Sequence, residues 1–152
     1  MKALQVLDSP ADQLPAEVVA AFFYTDVRPL SGPSGLLDWR LNGRMTALLL
    51  RSRALGRPGE HLLFAGNGKM AATWVLFAGG GMHSQLTPLT LSGLIGSVLD
   101  AVRQAGFQRV ALALDNMEGM TIQDAERTAW DWLDKDRFRG MQVVLACRDS
   151  QG

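Results

Sequence analysis

The sequence is poor in the side chains most often used for bond chemistry: 152 residues hold one cysteine, Cys147, two histidines, His61 and His83, and one tyrosine. A single cysteine excludes an internal disulfide. In its apolar surroundings Cys147 reads as a buried small hydrophobe rather than a nucleophile. Metal centres draw on several His, Cys, Asp or Glu ligands at short spacings. The two histidines lie far from the cysteine in sequence, so neither a metal nor another cofactor is expected. SGPSG at 31–35 lacks the G-x-S-x-G spacing of a serine nucleophile elbow. Bulk charge is absent too, with 15 basic against 15 acidic residues. No overall field therefore draws the chain to nucleic acid or a membrane surface. The longest apolar runs, such as WVLFA at 74–78, fall far short of the roughly 20 residues that cross a bilayer. No basic-then-apolar signal segment opens the chain. A cytoplasmic protein without a membrane partner is expected.

What is present is the composition of one globular domain, 47% hydrophobic and 20% charged, spanning residues 1–152. Residues 3–9 alternate so that Leu4 and Val6 share a face, and EVVAAFFYTDV from Glu17 is rich in β-branched and aromatic residues. Both predict strands. LSGPSG reads as a turn. From Leu36 to about Ala54, Leu37, Leu41, Met45, Leu48 and Leu49 repeat at helical spacing with Arg40, Arg44 and Arg51 opposite, predicting one amphipathic helix that Gly56, Pro58 and Gly59 stop. HLLFAG and TWVLFAG flank Asn67-Gly68-Lys69, a hairpin signal. Thr87 with Pro88 opens a helix whose stripe runs Leu91, Leu94, Ile95, Val98, Leu99 and Val102, capped near Gly106. RVALALD is a buried strand, and Thr121 with Asp124 opens a helix with Ile122, Ala125, Ala129, Trp132 and Leu133 inward. MQVVLAC is the last strand. Helices alternating with apolar strands predict an α/β fold, a three-layer sandwich with a mixed sheet.

Three features bear on function. AGGGM, with Gly79, Gly80 and Gly81, follows an apolar strand, and successive amides there, helped by His83 at a pocket mouth, would cradle a phosphate or nucleotide diphosphate. Yet the segment matches neither G-x-G-x-x-G nor the P-loop, and no lysine follows. Asp115 and Glu118 lie just past a strand end, where α/β sheets place ligand groups or merely helix-start charges. Charge is also uneven along the chain. Arg40, Arg44, Arg51, Arg53 and Arg57 occur without a carboxylate between Asp38 and Glu60, whereas Asp115, Glu118, Asp124, Glu126, Asp131, Asp134 and Asp136 face only Arg127 and Lys135. These are either two solvated faces or complementary surfaces for self-association or partner docking. Of the four tryptophans, Trp74 and Trp132 read as core, and Trp39 and Trp130 as partly exposed interface residues.

Taken together, FFYTDVRPLSGPSGLLDWRLNGRMTALL, GRPGEHLLF and WVLFAGGG resemble the N-terminal domain of the leucine aminopeptidase family. Leu37-Asp38, Gly43, Gly59-Glu60 and Gly79 to Gly81 carry the likeness. The resemblance implies a macro-domain-like fold. It also implies that the two-metal peptidase site belongs to a separate C-terminal domain, so these residues are expected to be non-catalytic. In such enzymes the N-terminal domain helps build a hexamer, and in some bacterial members it contributes to DNA binding. The implied partners are a second copy of the chain or another protein, such as a peptidase catalytic subunit. A nucleotide of the ADP-ribose type is the alternative ligand, and DNA contact through residues 40–57 is a weaker one.

Overall fold

The computed structural model describes residues 3–115 and 120–147 and, at Cys147, the backbone alone, so the expectations for the Glu118 and Cys147 side chains lie outside what is described. The chain runs β1 (Leu4–Val6), a 3-10 turn (Ala11–Gln13), β2 (Val18–Phe23), α1 (Gly32–Arg40), α2 (Arg44–Leu50), β3 (His61–Ala65) and β4 (Trp74–Gly79). A second 3-10 turn (His83–Gln85), α3 (Pro88–Gln104), β5 (Arg109–Leu114), α4 (Ile122–Leu133), a third 3-10 turn (Asp136–Phe138) and β6 (Gln142–Cys147) complete it. Six strands form one sheet in the order β1-β6-β5-β2-β4-β3. All neighbours are parallel except β3, which returns antiparallel beside β4.

The pleat sorts the core into two layers, because successive side chains along a strand point to opposite faces. Val18, Ala20 and Phe22 of β2 pack with the apolar stripes of α3 and α4. Val19, Ala21 and Phe23 pack with Leu37 and Leu41 on one side of the α1–α2 pair and with Met45 of α2. Every residue of β2 is buried, as expected for a central parallel strand covered on both faces. The predicted three-layer sandwich with a mixed sheet is therefore what the chain forms. The predicted cap at Thr121 with Asp124 is present, and Thr87 caps α3 as predicted, its box closed by Thr90. No helix among the described residues is long and apolar enough to cross a membrane.

Three expectations need correction. The single helix of residues 36–54 is two helices: α1 starts earlier, at Gly32 inside the presumed turn, and the backbone breaks where Asn42 and Gly43 take φ of 58° and 75°. Asp38 explains the break. Its buried carboxylate accepts the amides of Met45 at 2.8 Å and Thr46 at 3.2 Å and the Thr46 hydroxyl, replacing carbonyl partners that the first turn of α2 lacks. Leu41 and Met45 stay buried across the break, which is why the apolar spacing looked continuous. Trp74 is not core but 36% exposed, since it opens β4 beside the edge strand β3. Val6, at the opposite edge, is likewise exposed, and only Leu4 of β1 reaches the core.

Candidate functional site

A parallel sheet opens a crevice where the chain leaves two adjacent strands toward opposite faces. Here those strands are β2, followed by α1 in one layer, and β5, followed by α4 in the other. The first residue after each is polar. Tyr24 and Asp115 consequently meet across the gap, and the Tyr24 hydroxyl donates to Asp115 Oδ2 at 3.0 Å. Val27, Leu30, Ser31, Ser34 and His83 complete the lining of a cavity of about 80 Å³. The His83 ring meets Tyr24 edge-on, with centroids 4.8 Å apart. His83 is placed by Asp26, whose carboxylate accepts the amides of His83 at 2.7 Å and Ser84 at 3.1 Å and is held below the usual carboxylate range by them.

Burial pushes the Asp115 carboxyl up to about 6, against the downward pull of the Tyr24 hydroxyl and the nearby His83 ring. The Tyr24 phenol is raised as well, by burial first and then by the negative charge of Asp115. Asp115 also approaches the start of α1 closely, its Oδ1 lying 2.6 Å from where a Cβ on Gly32 would stand. Tyr24 carried no weight in the sequence reading. Its position directly after an all-apolar strand was the available signal.

The glycine cluster lies beside this cavity but does not open onto it as a cradle. The amide of Gly79 donates to Glu60 O at 2.8 Å, that of Gly80 to Phe23 O at 2.9 Å and that of Gly81 to Gly56 O at 2.8 Å. The absence of side chains serves close packing: a Cβ on Gly79 would strike the Arg57 carbonyl, and one on Gly80 the Tyr24 ring. Residues 55–57, which press on the glycines, are gathered by Glu60, whose carboxylate accepts the amides of Leu55, Gly56 and Arg57 at 2.8–3.1 Å. Partial burial pushes Glu60 upward, but those amides outweigh it and hold the group below its ordinary range. Of the predicted phosphate set, only His83 lines the cavity.

The arginine surface is a separate feature. Trp39 is 70% exposed and walls an open groove with Leu30, Gly43 and Thr46. Arg40 stacks 5.3 Å from its ring while its Nε meets the buried Asp12 carboxylate at 2.9 Å. Arg44 lies over Phe64, and among the described residues Arg51, Arg53 and Arg57 form no ion pair. In the opposite layer α4 exposes Trp130, and Glu126, Asp131 and Asp134 form none either. Asp115, counted with this acidic group in the sequence, instead lines the cavity. Trp132 lies across Gly96 and donates from its indole to Ser92 O at 2.9 Å. Among the described residues no three His, Cys, Asp or Glu side chains gather where they could hold a metal ion.

These features belong to a recognisable class. The fold is similar to the macrodomain of Thermus aquaticus DarG (TM-score 0.70, 10% identity, 94% of this chain and 97% of that one). It is also similar to a Trypanosoma brucei macrodomain in complex with ADP-ribose (TM-score 0.67, 20% identity, 95% and 63%). A tomato leucine aminopeptidase mutant matches with a TM-score of 0.67 and 17% identity over 96% of this chain and 32% of that one. The module is thus a macrodomain-like α/β domain. Residues 18–129 match the model of the cytosol aminopeptidase family, N-terminal domain, and the chain belongs to that family. A probable cytosol aminopeptidase of Pseudomonas syringae pv. tomato is 31% identical over 90 residues, 59% of this chain and 18% of that protein. The chain therefore aligns with a minor part of the length of that relative.

Proposed function

We propose that this chain acts as a non-catalytic module of the aminopeptidase N-terminal type, and that its role is self-association through a head-to-tail contact. The observation that carries this reading is the exposure of Trp39 at 70% within a layer whose Arg51, Arg53 and Arg57 have no ion-pair partner among the described residues. Tryptophan and arginine are the residues that most often anchor protein interfaces. The matching surface is on the same molecule. α4 carries Trp130 and Asp131 at exposed positions, with Asp134 exposed at its C-cap, and it covers the other face of the sheet. Two complementary patches on opposite layers cannot meet within one chain, but they meet when a second copy stacks on the first. Such a heterologous contact closes a ring or extends a filament, depending on the rotation.

Sedimentation velocity over a range of protein and salt concentrations tests this. The mass is expected to rise with concentration and to fall back as salt screens the charges. Arg51→Glu with Arg53→Glu should abolish association, and mixing that variant with Asp131→Arg plus Asp134→Arg should restore hetero-association. A monomer under every condition overturns the reading, as does association untouched by the charge reversals. Association only with a separate protein, such as a peptidase catalytic subunit, replaces the second copy with that partner. A nucleotide at the Gly79–Gly81 loop is not favoured by the geometry. The three amides are engaged within the fold, and about 80 Å³ lies well below the roughly 300 Å³ at which ligand pockets begin.

A further inference from the structure

We infer that the groove at the junction of α1 and α2 is the socket for Trp130 of a second copy, so that one indole anchors each head-to-tail contact. The contact rests on the self-association reading and adds to it the side chain that carries the binding. The socket is a product of the helix break. α1 ends at Arg40 and α2 begins at Arg44, and between them Gly43, at a φ of 75°, leaves open space where a side chain would stand. Pro29, Leu30, Trp39 and Thr46 wall the opening, about 340 Å³, which is room for one bicyclic side chain but not for a helix. The Trp39 wall is braced before any partner arrives. Arg40 stacks 5.3 Å from its ring, and the buried Asp12 carboxylate holds Arg40 by its Nε at 2.9 Å. An exposed aromatic already fixed in place loses little rotamer freedom on binding.

Charge and spacing select Trp130 as the occupant. It is 39% exposed on α4, with Glu126 one turn before it and Asp134 one turn after, so carboxylate, indole and carboxylate follow one another along one side of the helix. Neither carboxylate forms an ion pair among the described residues. The socket has the opposite rim. Arg40 stands beside Trp39, and Arg44 follows Gly43, its guanidinium lying over Phe64 with no ion pair among the described residues. An apolar plug ringed by contacts that exclude water is the usual build of an interface anchor. Leu50 and Leu89, exposed by 82% and 83%, have no carboxylate four residues to either side. Trp130 cannot fill the groove of its own chain, because α4 and the α1–α2 pair cover opposite faces of the sheet.

The full chain labelled with 5-fluorotryptophan tests this, its ¹⁹F resonances being followed as protein concentration rises. Trp39 and Trp130, identified from their Phe variants, should shift together as the chain associates, while Trp74 and Trp132 stay unmoved. Trp130→Ala should weaken association in sedimentation velocity about tenfold or more. Gly43→Asn, which suits the left-handed backbone and sets a side chain in the open groove, should do the same, and it decides the matter should Trp130→Ala fail to fold. One variant keeps the socket and the other keeps the plug. Mixed at a concentration where neither associates alone, they should form a heterodimer and nothing larger. Association of either folded variant at native strength, failure of the mixture to pair, or unmoved Trp39 and Trp130 resonances in an associating sample overturns the socket and leaves a charge-driven contact standing. A monomer throughout, or association indifferent to reversal of Arg51 and Arg53, overturns self-association itself and the socket with it.

Discussion

The glycine loop at 79–81 and the arginine layer at 40–57 both look ready for a negatively charged partner in the sequence, yet the fold uses them in opposite ways. All three glycine amides donate to backbone carbonyls, and their missing side chains make room for Arg57 and Tyr24. Arg51, Arg53 and Arg57 form no ion pair among the described residues and stay exposed. The difference follows from what each kind of donor costs to leave unmatched. A buried backbone N–H must find a partner, so a tightly packed loop consumes its own amides. An arginine head stays in water on a long stem and remains available. Donors predict a ligand only where the fold does not need them first.

That contrast can be broken by mutation, and the expected effects descend from the loop to the arginines. Gly79→Ala drives a methyl into the Arg57 carbonyl, where backbone faces backbone and neither side yields. A loss of about 4 kcal/mol or more, or failure to fold, is expected in urea denaturation; a stable variant would mean that the loop gives way.

Asp115 ranks next. Its folded-state carboxyl titrates at about 6 against an ordinary 3.8, so the folded protein holds this proton more tightly than the unfolded chain. The stabilisation is therefore fully present below pH 3.8 and lost as pH rises through about 6, by at most about 3 kcal/mol at roughly 1.4 kcal/mol per unit. Asp115→Asn removes this slope. The stability difference between the two proteins, measured across that window, should drift against the native chain as pH rises, and a constant difference would mean the carboxyl is solvated.

Asp38→Ala is expected to cost about 2 kcal/mol, because the α2 amides of Met45 and Thr46 lose their acceptor. Helix content by circular dichroism should fall with it, and an unchanged denaturation midpoint would remove Asp38 as the cause of the break. Smallest are Arg51→Ala and Trp39→Ala, each within about 0.5 kcal/mol of the native stability. A large destabilisation there would show that the layer is structural and not an interface.

Much of the fold was legible from local rules. Thr87-Pro88, Thr121 with Asp124, and the apolar runs at 18–23, 74–79 and 109–114 read correctly because caps and strand burial depend on neighbours in sequence. The failures have a common origin. The break at Asn42–Gly43 depends on Asp38 reaching across it to Met45 and Thr46, a choice that periodicity does not register. Trp74 looked buried because its neighbours are, yet its exposure depends on lying next to the sheet edge. At the candidate site, Asp115 was visible as a strand-end carboxylate, whereas Tyr24 was not, since its partner lies 91 residues away.

By itself the sequence determined the family, the alternation of helices and strands, the caps, and which side chains carry charge, all of which depend on residue type and short spacing. Only the tertiary structure decided that the glycines serve packing, that Tyr24 and Asp115 share a cavity, and that the arginine and carboxylate patches stand on opposite faces. Those outcomes depend on strand order: placing β2 beside β5 joins chain ends far apart in sequence, and no local pattern records which strands will be neighbours.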